Sequence, residues 1–179
     1  MHEMRLAVKW CAVLALCLSV AVPLSARKKR NALAPKPLDN TTSGFDSSRD
    51  PARDLQNALA EAARTNKRVL VEVGGDWSVY CNLMDLAFDK HPQLRQVRDT
   101  YYVTVKVHYS KDLPNEEFLS HYPKIPDYPH FFVLDSKGVV LFSQPTHPFE
   151  QGKKYNAGKI DAFLKKDSHP PQPFLRVIK

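Results

Sequence analysis

The chain has 179 residues, of which 43% are hydrophobic and 25% are charged, and its formal net charge is +7. These proportions are ordinary for a soluble globular protein and allow one domain with a sizeable core. Four positive charges form the run at residues 27–30, and no basic stripe interleaved with aromatic residues follows, which argues against a nucleic-acid-binding domain.

Residues 1–26 are typical of a secretory signal peptide. Basic residues precede an apolar core at residues 10–22 that is too short to span a bilayer comfortably, and Ala26 offers a small residue for cleavage. We therefore expect an exported protein. The positive run at residues 27–30 favours one alternative, an uncleaved N-terminal membrane anchor, because positive charge tends to stay on the cytoplasmic side. The same run could touch anionic lipid or form a solvated tail.

Residues 27–49 are rich in Pro, Ser, Thr, Asn and Asp, which predicts a flexible leader. A helix is expected to follow, with Asp50 as its N-cap and Pro51 at its first position. The helix should end at residues 66–68. Its predicted buried face consists of four apolar residues at helical spacing: Leu55, Ala58, Leu59 and Ala62.

The stretch at residues 69–88 is the most informative part of the chain. Its valine-rich beginning predicts a buried strand that ends at Gly74-Gly75. A helix should then begin after Ser78, which stands at the N-cap position. Cys81 would lie in the first turn of this helix, where unpaired N–H groups and the helix dipole favour a thiolate. The predicted apolar face of the helix consists of Val79, Leu83, Met84 and Leu86.

The rest of the chain alternates between helices and strands. Helices are predicted at residues 92–99, 115–121 and 155–166, and strands at residues 101–107, 130–134 and 139–142. A proline-dense loop at residues 122–129 precedes the second of these strands. Strand–helix alternation implies parallel pairing, and the closing hairpin adds an antiparallel edge. The predicted folded domain is 50–167, followed by a loose tail at residues 168–179.

The stretch Trp77-Ser78-Val79-Tyr80-Cys81 resembles the Trp-Cys-x-x-Cys motif of the thioredoxin superfamily. Trp77 and Cys81 match the motif, Ser78 replaces its first cysteine, and Glu72 stands at the buried acidic position of the family. The Gly-Gly-Asp-Trp lead-in resembles secreted bacterial members, which places the expected export in a bacterial periplasm. The resemblance covers roughly residues 50–166. It implies a thioredoxin-like α/β fold, a three-layer α/β/α sandwich with a mixed central sheet.

The replacement at Ser78 removes the redox cycle of the family. Thiol–disulfide exchange needs an attacking thiolate and a second thiol that resolves the mixed disulfide, and a serine hydroxyl is un-ionised near neutral pH. After signal removal, Cys81 would be the single cysteine left. Three hypotheses remain for Cys81: an inert core residue, a reactive monothiol, or the remaining half of a motif whose first cysteine was deliberately changed.

The resemblance implies roles for further residues. Glu72 would assist proton transfer at Cys81, unless its strand position faces water. Pro129 would be the cis proline before a strand that leaves a backbone edge free for an extended client, with Pro123 and Pro126 as alternatives. His130 would tune the site near neutral pH or form part of its polar rim.

Trp77 and Tyr80 would flank the motif and contact an extended client, although Trp77 could simply pack on its loop. The spacing of the histidines, including His91 and His147, shows no metal pair, and no phosphate-binding glycine motif or serine-hydrolase motif is present. We expect no cofactor and no metal.

Two functions follow from these residues. The first is a cell-envelope thioredoxin-like protein linked to thiol–disulfide exchange through Cys81 alone. The alternative is a non-enzymatic module that binds client or partner peptides at the cis-proline groove. Expected partners are protein clients or thiol-containing small molecules, without nucleic acid, and with a membrane in the case of an uncleaved signal. The client, the redox direction and the oligomeric state stay open.

Overall fold

The computed structural model describes residues 44–166. The predicted signal peptide, the leader up to residue 43 and the tail from residue 168 lie outside these residues. Among the helices within 44–166, none has the length and apolar character to cross a membrane.

The described residues form one mixed sheet with helices on both faces. The strands are β1 (Arg68–Gly74), β2 (Tyr102–His108), β3 (His130–Leu134) and β4 (Val140–Pro145). The helices are α1 (Pro51–Thr65), α2 (Val79–Lys90), α3 (Pro92–Tyr101), α4 (Glu116–Leu119) and α5 (Ala157–Lys166). A short 3-10 helix, His147–Phe149, lies between β4 and α5.

The strand order in the sheet is β2-β1-β3-β4. β1 is parallel to β2 and antiparallel to β3, and β3 is antiparallel to β4. The mixed sheet agrees with the expected fold class, but β3 runs antiparallel to β1, where alternation predicted parallel pairing. The segment between β2 and β3 contains only the four-residue α4, not a long crossover helix that would return the chain for a parallel strand.

The sheet separates two apolar clusters, which gives the three layers of the sandwich. On one face α1 packs through Ala58 and Ala62 against alternate residues of the strands: Val69, Val71, Val73, Val103, Val105, Val107, Phe132 and Leu134. On the other face α2, α3 and α5 pack against the remaining strand side chains: Leu70, Tyr102, Phe131 and Val133. The period of two along each strand assigns each side chain to one cluster.

The first helix begins as its sequence predicts. Asp50 accepts hydrogen bonds from the N–H groups of Ala52 and Arg53, which caps the helix. Leu55 and Leu59 are only half-buried, whereas the alanines of the predicted face are fully buried. One buried residue of this helix, Asp54, was not predicted. Its carboxylate forms a bidentate ion pair with Arg49.

The predicted apolar face of α2 was wrong at two positions. Val79 and Leu86 are 68% and 41% exposed, and Leu83 is half-buried. The residues that turn to the sheet are Cys81, Met84, Ala87 and Phe88. The predicted face was chosen from the large apolar residues alone. Small side chains such as cysteine and alanine let a helix approach a sheet closely, and single large apolar residues at the surface are common.

The buried ion pair of Asp54 should contribute more to stability than an exposed pair on the same helix. Asp54→Ala leaves the Arg49 guanidinium, whose side chain is 18% exposed, without its carboxylate, and we expect it to lower the free energy of unfolding by about 3 kcal/mol. The matched control is Glu61→Ala, which breaks the exposed pair with Arg64 and should cost below ~0.5 kcal/mol. Urea unfolding measures both, and equal losses would contradict the prediction.

Candidate functional site

The candidate site lies where β1 leads into α2. The chain turns after Gly75, whose carbonyl accepts a hydrogen bond from the N–H of Ser78 at 2.9 Å. The carbonyl of Gly74 accepts from the N–H of Tyr109 at 2.6 Å, which ties the turn to the end of β2. These backbone bonds fix the start of α2 against the sheet.

Gly74 and Gly75 permit close approaches that a side chain would block. A Cβ on Gly74 would lie 2.5 Å from Cys81 Sγ, and a Cβ on Gly75 would lie 2.4 Å from Trp77 Nε1. Real Cβ atoms do not approach other atoms so closely. The pair was predicted only to end the strand, whereas in the structure each glycine also makes room for a residue of the motif.

The Cys81 thiol is fully buried in the first turn of α2. Burial raises the pKa of Cys81 to about 11, although the Gly75 backbone and the Ser78 side chain act in the opposite direction. The expectation that the helix start favours a thiolate was therefore wrong, because loss of hydration outweighs the helix terminus. The thiol is protonated and closed to solvent in this state.

Ser78 occupies the position of the attacking cysteine and is 7% exposed. Its Oγ accepts from the N–H of Cys81 at 3.4 Å, as an N-cap does, and donates to the carbonyl of Tyr128 at 3.3 Å. Neither partner is a base that could activate the hydroxyl. Ser78 therefore links α2 to the loop before β3 and offers no nucleophile.

Glu72 does not face water. It is 2% exposed, and in the register of the parallel pair it lies beside Lys106. The Lys106 ammonium forms an ion pair with Asp85 and lies 3.8 Å from Glu72 Oε2. Glu72 Oε1 has no hydrogen-bond partner within residues 44–166. Burial raises the pKa of Glu72, and the positive charge of Lys106 only partly opposes this effect.

The Tyr128–Pro129 peptide bond is cis, as the resemblance implies, and Pro123 and Pro126 are trans. Pro129 itself is buried, and its carbonyl accepts a hydrogen bond from Thr146 Oγ1 at 2.8 Å. The backbone that a client could reach at this loop is therefore that of Tyr128.

His130 is neither a rim group nor a neighbour of Cys81. Its side chain is 1% exposed, and its ring centroid lies 4.7 Å from that of Phe132, which belongs to the cluster on the α1 face of the sheet. Cys81 belongs to α2, which packs on the opposite face. Burial lowers the pKa of His130, although Asp127 acts in the opposite direction. The prediction that His130 tunes the site was wrong because the strand period turns it away.

Trp77 and Tyr80 remain largely exposed beside the buried thiol, at 55% and 43%. The Trp77 Nε1–H donates to the Tyr109 carbonyl at 2.6 Å, and the ring lies edge-on to Tyr128 with 5.7 Å between centroids. The Tyr109 and Tyr128 rings stack at 4.5 Å. Trp77 is thus both packed on its loop and available at the surface.

Three contributors to the site carried no motif signal. Phe45 lies in the segment predicted as leader but is 6% exposed and contacts the site. Lys106 and Asp85 surround Glu72. The positions of Glu72 and Lys106 in two adjacent strands could have indicated that these two side chains lie side by side. The contact of Phe45 with the site depends on the tertiary fold. Among the described residues, no group of three or more His, Cys, Asp or Glu side chains could hold a metal ion.

Comparisons with known proteins agree with this fold. A family model described as thioredoxin-like matches residues 50–136. The solved structure of a disulphide isomerase from Xylella fastidiosa Temecula1 is similar in fold, with a TM-score of 0.61 and 22% sequence identity. The similarity covers 72% of this chain and 99% of that chain. No curated protein matches the sequence.

The raised pKa of Glu72 should appear as a pH dependence of stability. The unfolded chain ionises Glu72 near the usual pKa of 4.5, whereas the folded chain holds its proton to a higher pH. The unfolding free energy of the wild type should therefore fall as pH rises from 4.5 through the folded pKa, by about 1.4 kcal/mol for each pH unit between the two values.

Glu72→Gln removes this titration. Its stability relative to the wild type should rise over the same pH range and become constant above the folded pKa. Urea unfolding from pH 4 to pH 8 measures the difference between the two proteins. A constant difference across that range would contradict a raised pKa.

Proposed function

The chain belongs to the thioredoxin superfamily, and we propose that it uses this fold to bind extended segments of client proteins without redox turnover. One contrast carries the proposal. The motif residue with a thiol, Cys81, is fully buried, while three apolar neighbours, Trp77, Val79 and Tyr80, stay exposed. A redox site needs an accessible thiolate, whereas a binding site needs an accessible apolar surface.

The client surface consists of Trp77, Val79, Tyr80 and Tyr128. Trp77 is held by its bond to the Tyr109 carbonyl and by the Tyr128 ring, so little side-chain entropy remains to be lost on binding. Exposed aromatic side chains fixed in this way are typical binding hot spots.

The backbone of Tyr128 supplies the polar part of the client surface. Its N–H has no hydrogen bond to another described residue. Its carbonyl accepts from Ser78 at 3.3 Å and, with two lone pairs, can accept a second bond. An extended client segment would pair with these two groups as an added strand, while its side chains contact Trp77 and Tyr80.

The proposed clients are proteins outside the cytoplasm. The support for this location is the predicted signal peptide at residues 1–26, with its basic start, short apolar core and Ala26. Disulfides form in the compartments that such signals serve. Proteins there pass through extended, incompletely folded states that a binding module could hold.

The second candidate function is exchange through Cys81 as a monothiol. One observation favours it: Glu72 keeps a buried carboxyl whose pKa is raised by burial and which could take up a proton, a property that a binding module does not need. It requires Cys81 to become exposed during the reaction. The experiment below distinguishes the two functions.

The test uses a permanently unfolded client whose cysteines are all carboxymethylated, so that it offers neither thiols nor disulfides. We expect the wild-type protein to bind this client, measured by fluorescence anisotropy of the labelled client. Trp77→Ala should raise the Kd by about tenfold, because the central aromatic contact is lost. Val139→Ala is the matched control, since Val139 is 56% exposed but lies outside the client surface, and its Kd should be unchanged.

Two outcomes would contradict the proposed function. One is an equal Kd for the wild type and Trp77→Ala. The other is binding only to clients with free thiols or disulfides, together with attack of the Cys81 thiolate on a model disulfide, which forms a mixed disulfide with Cys81 and releases one thiol. The second outcome would favour the monothiol function of Cys81.

A further inference from the structure

Two residues that precede α1 lie across the candidate site. The N–H of Gly44 donates to Asp85 Oδ2 at 2.9 Å, and the N–H of Phe45 donates to Asp76 Oδ1 at 3.0 Å. Gly44 has a φ of +96°, a conformation that glycine adopts readily. This conformation lets two consecutive N–H groups bind carboxylates on both sides of the motif, one in the preceding loop and one in α2.

The Phe45 ring closes the space beside the thiol. A Cβ placed on Gly74 would lie 2.9 Å from Phe45 Cζ and 2.5 Å from Cys81 Sγ, so ring and sulfur lie against the same backbone position. The Lys106 ammonium lies 4.7 Å from the centroid of the Phe45 ring. The ring therefore covers both the thiol and the charged group that faces Glu72.

We propose that Gly44 and Phe45 form a latch that closes Cys81 and Glu72 off from solvent, and that release of the latch makes the thiol accessible. The latch is independent of the client surface, since it lies on a different set of residues. A failure to bind clients would leave this proposal unaffected, and a failure of the latch would leave the proposed binding function unaffected.

Within residues 44–166, the latch is held by two backbone hydrogen bonds, one buried ring and the contact with Lys106. These contacts can break without unfolding of the domain. The carboxylate that holds Phe45 belongs to Asp76, an exposed residue. Local opening of such a segment has a lower free-energy cost than global unfolding, and a buried thiol reacts in proportion to the open fraction.

The test measures the alkylation rate of Cys81 in the full chain at pH 8 with iodoacetamide. Phe45→Ala removes the ring. Asp76→Ala removes the carboxylate that accepts the hydrogen bond of the Phe45 N–H, and because Asp76 is exposed, no core side chain is lost. Each change should increase the Cys81 rate by about tenfold, because the lost contact shifts the latch toward its open state. Mass spectrometry of the peptide that contains Cys81 separates its reaction from that of the other two cysteines.

Matched controls separate latch opening from general destabilisation. Phe118→Ala removes a half-buried ring from the opposite face of the sheet, and Asp112→Ala removes an exposed carboxylate away from the site. Both should leave the Cys81 rate within about twofold of the wild type, because the latch contacts stay intact. Rates of Asp76→Ala and Phe45→Ala equal to the wild-type rate would overturn the proposal. An equal increase in Phe118→Ala would overturn it as well.

Discussion

The close contact between Cys81 and the backbone of Gly74 is the constraint on which this site depends. It requires a strand residue without a side chain, and it brings the first turn of α2 directly onto β1. Once the helix lies there, Ser78 reaches the Tyr128 carbonyl, and Phe45 can cover the remaining opening. The same contact removes the sulfur from water, and this loss of hydration raises the pKa of the thiol.

A typical redox site has a chemical half, which holds the reacting groups, and a recognition half, which contacts the client. In this protein the two halves differ in their access to solvent. The chemical half is closed: Ser78 supplies no thiol, and the Cys81 thiol is buried beneath a latch. The recognition half is open, because Trp77 and Tyr80 stay exposed and the cis peptide bond places the Tyr128 backbone beside them. The proposal of binding without turnover rests on this contrast, while the retained buried Glu72 is the feature that binding alone does not explain.

Much of the fold could be predicted from local patterns. The apolar run at residues 130–134 matched β3 at both ends, and Asp50-Pro51 marked the start of α1. The motif identified the turn between β1 and α2 through the resemblance at Trp77 and Cys81. These successes share one cause: the signal lies within a few consecutive residues.

The errors concern properties that depend on the tertiary fold. Whether Cys81 is exposed depends on Gly74 and Phe45, which come from separate parts of the chain. His130 has a sequence position beside the cis proline, but the strand period turns its ring to the other face of the sheet. Small residues that pack closely against the sheet decide which face of α2 is buried. The pattern of large apolar side chains alone could not predict that face.

The most direct test of the account is the pH dependence of Cys81 alkylation in the folded wild-type protein and in denaturant. In denaturant the rate should level off above the ordinary thiol pKa of about 8.5. In the folded protein it should stay far below that rate and continue to rise toward pH 11, because burial raises the pKa of Cys81 to about 11. A folded rate that is fast and level by pH 7 would mean an exposed, activated thiolate, and it would contradict binding without redox turnover.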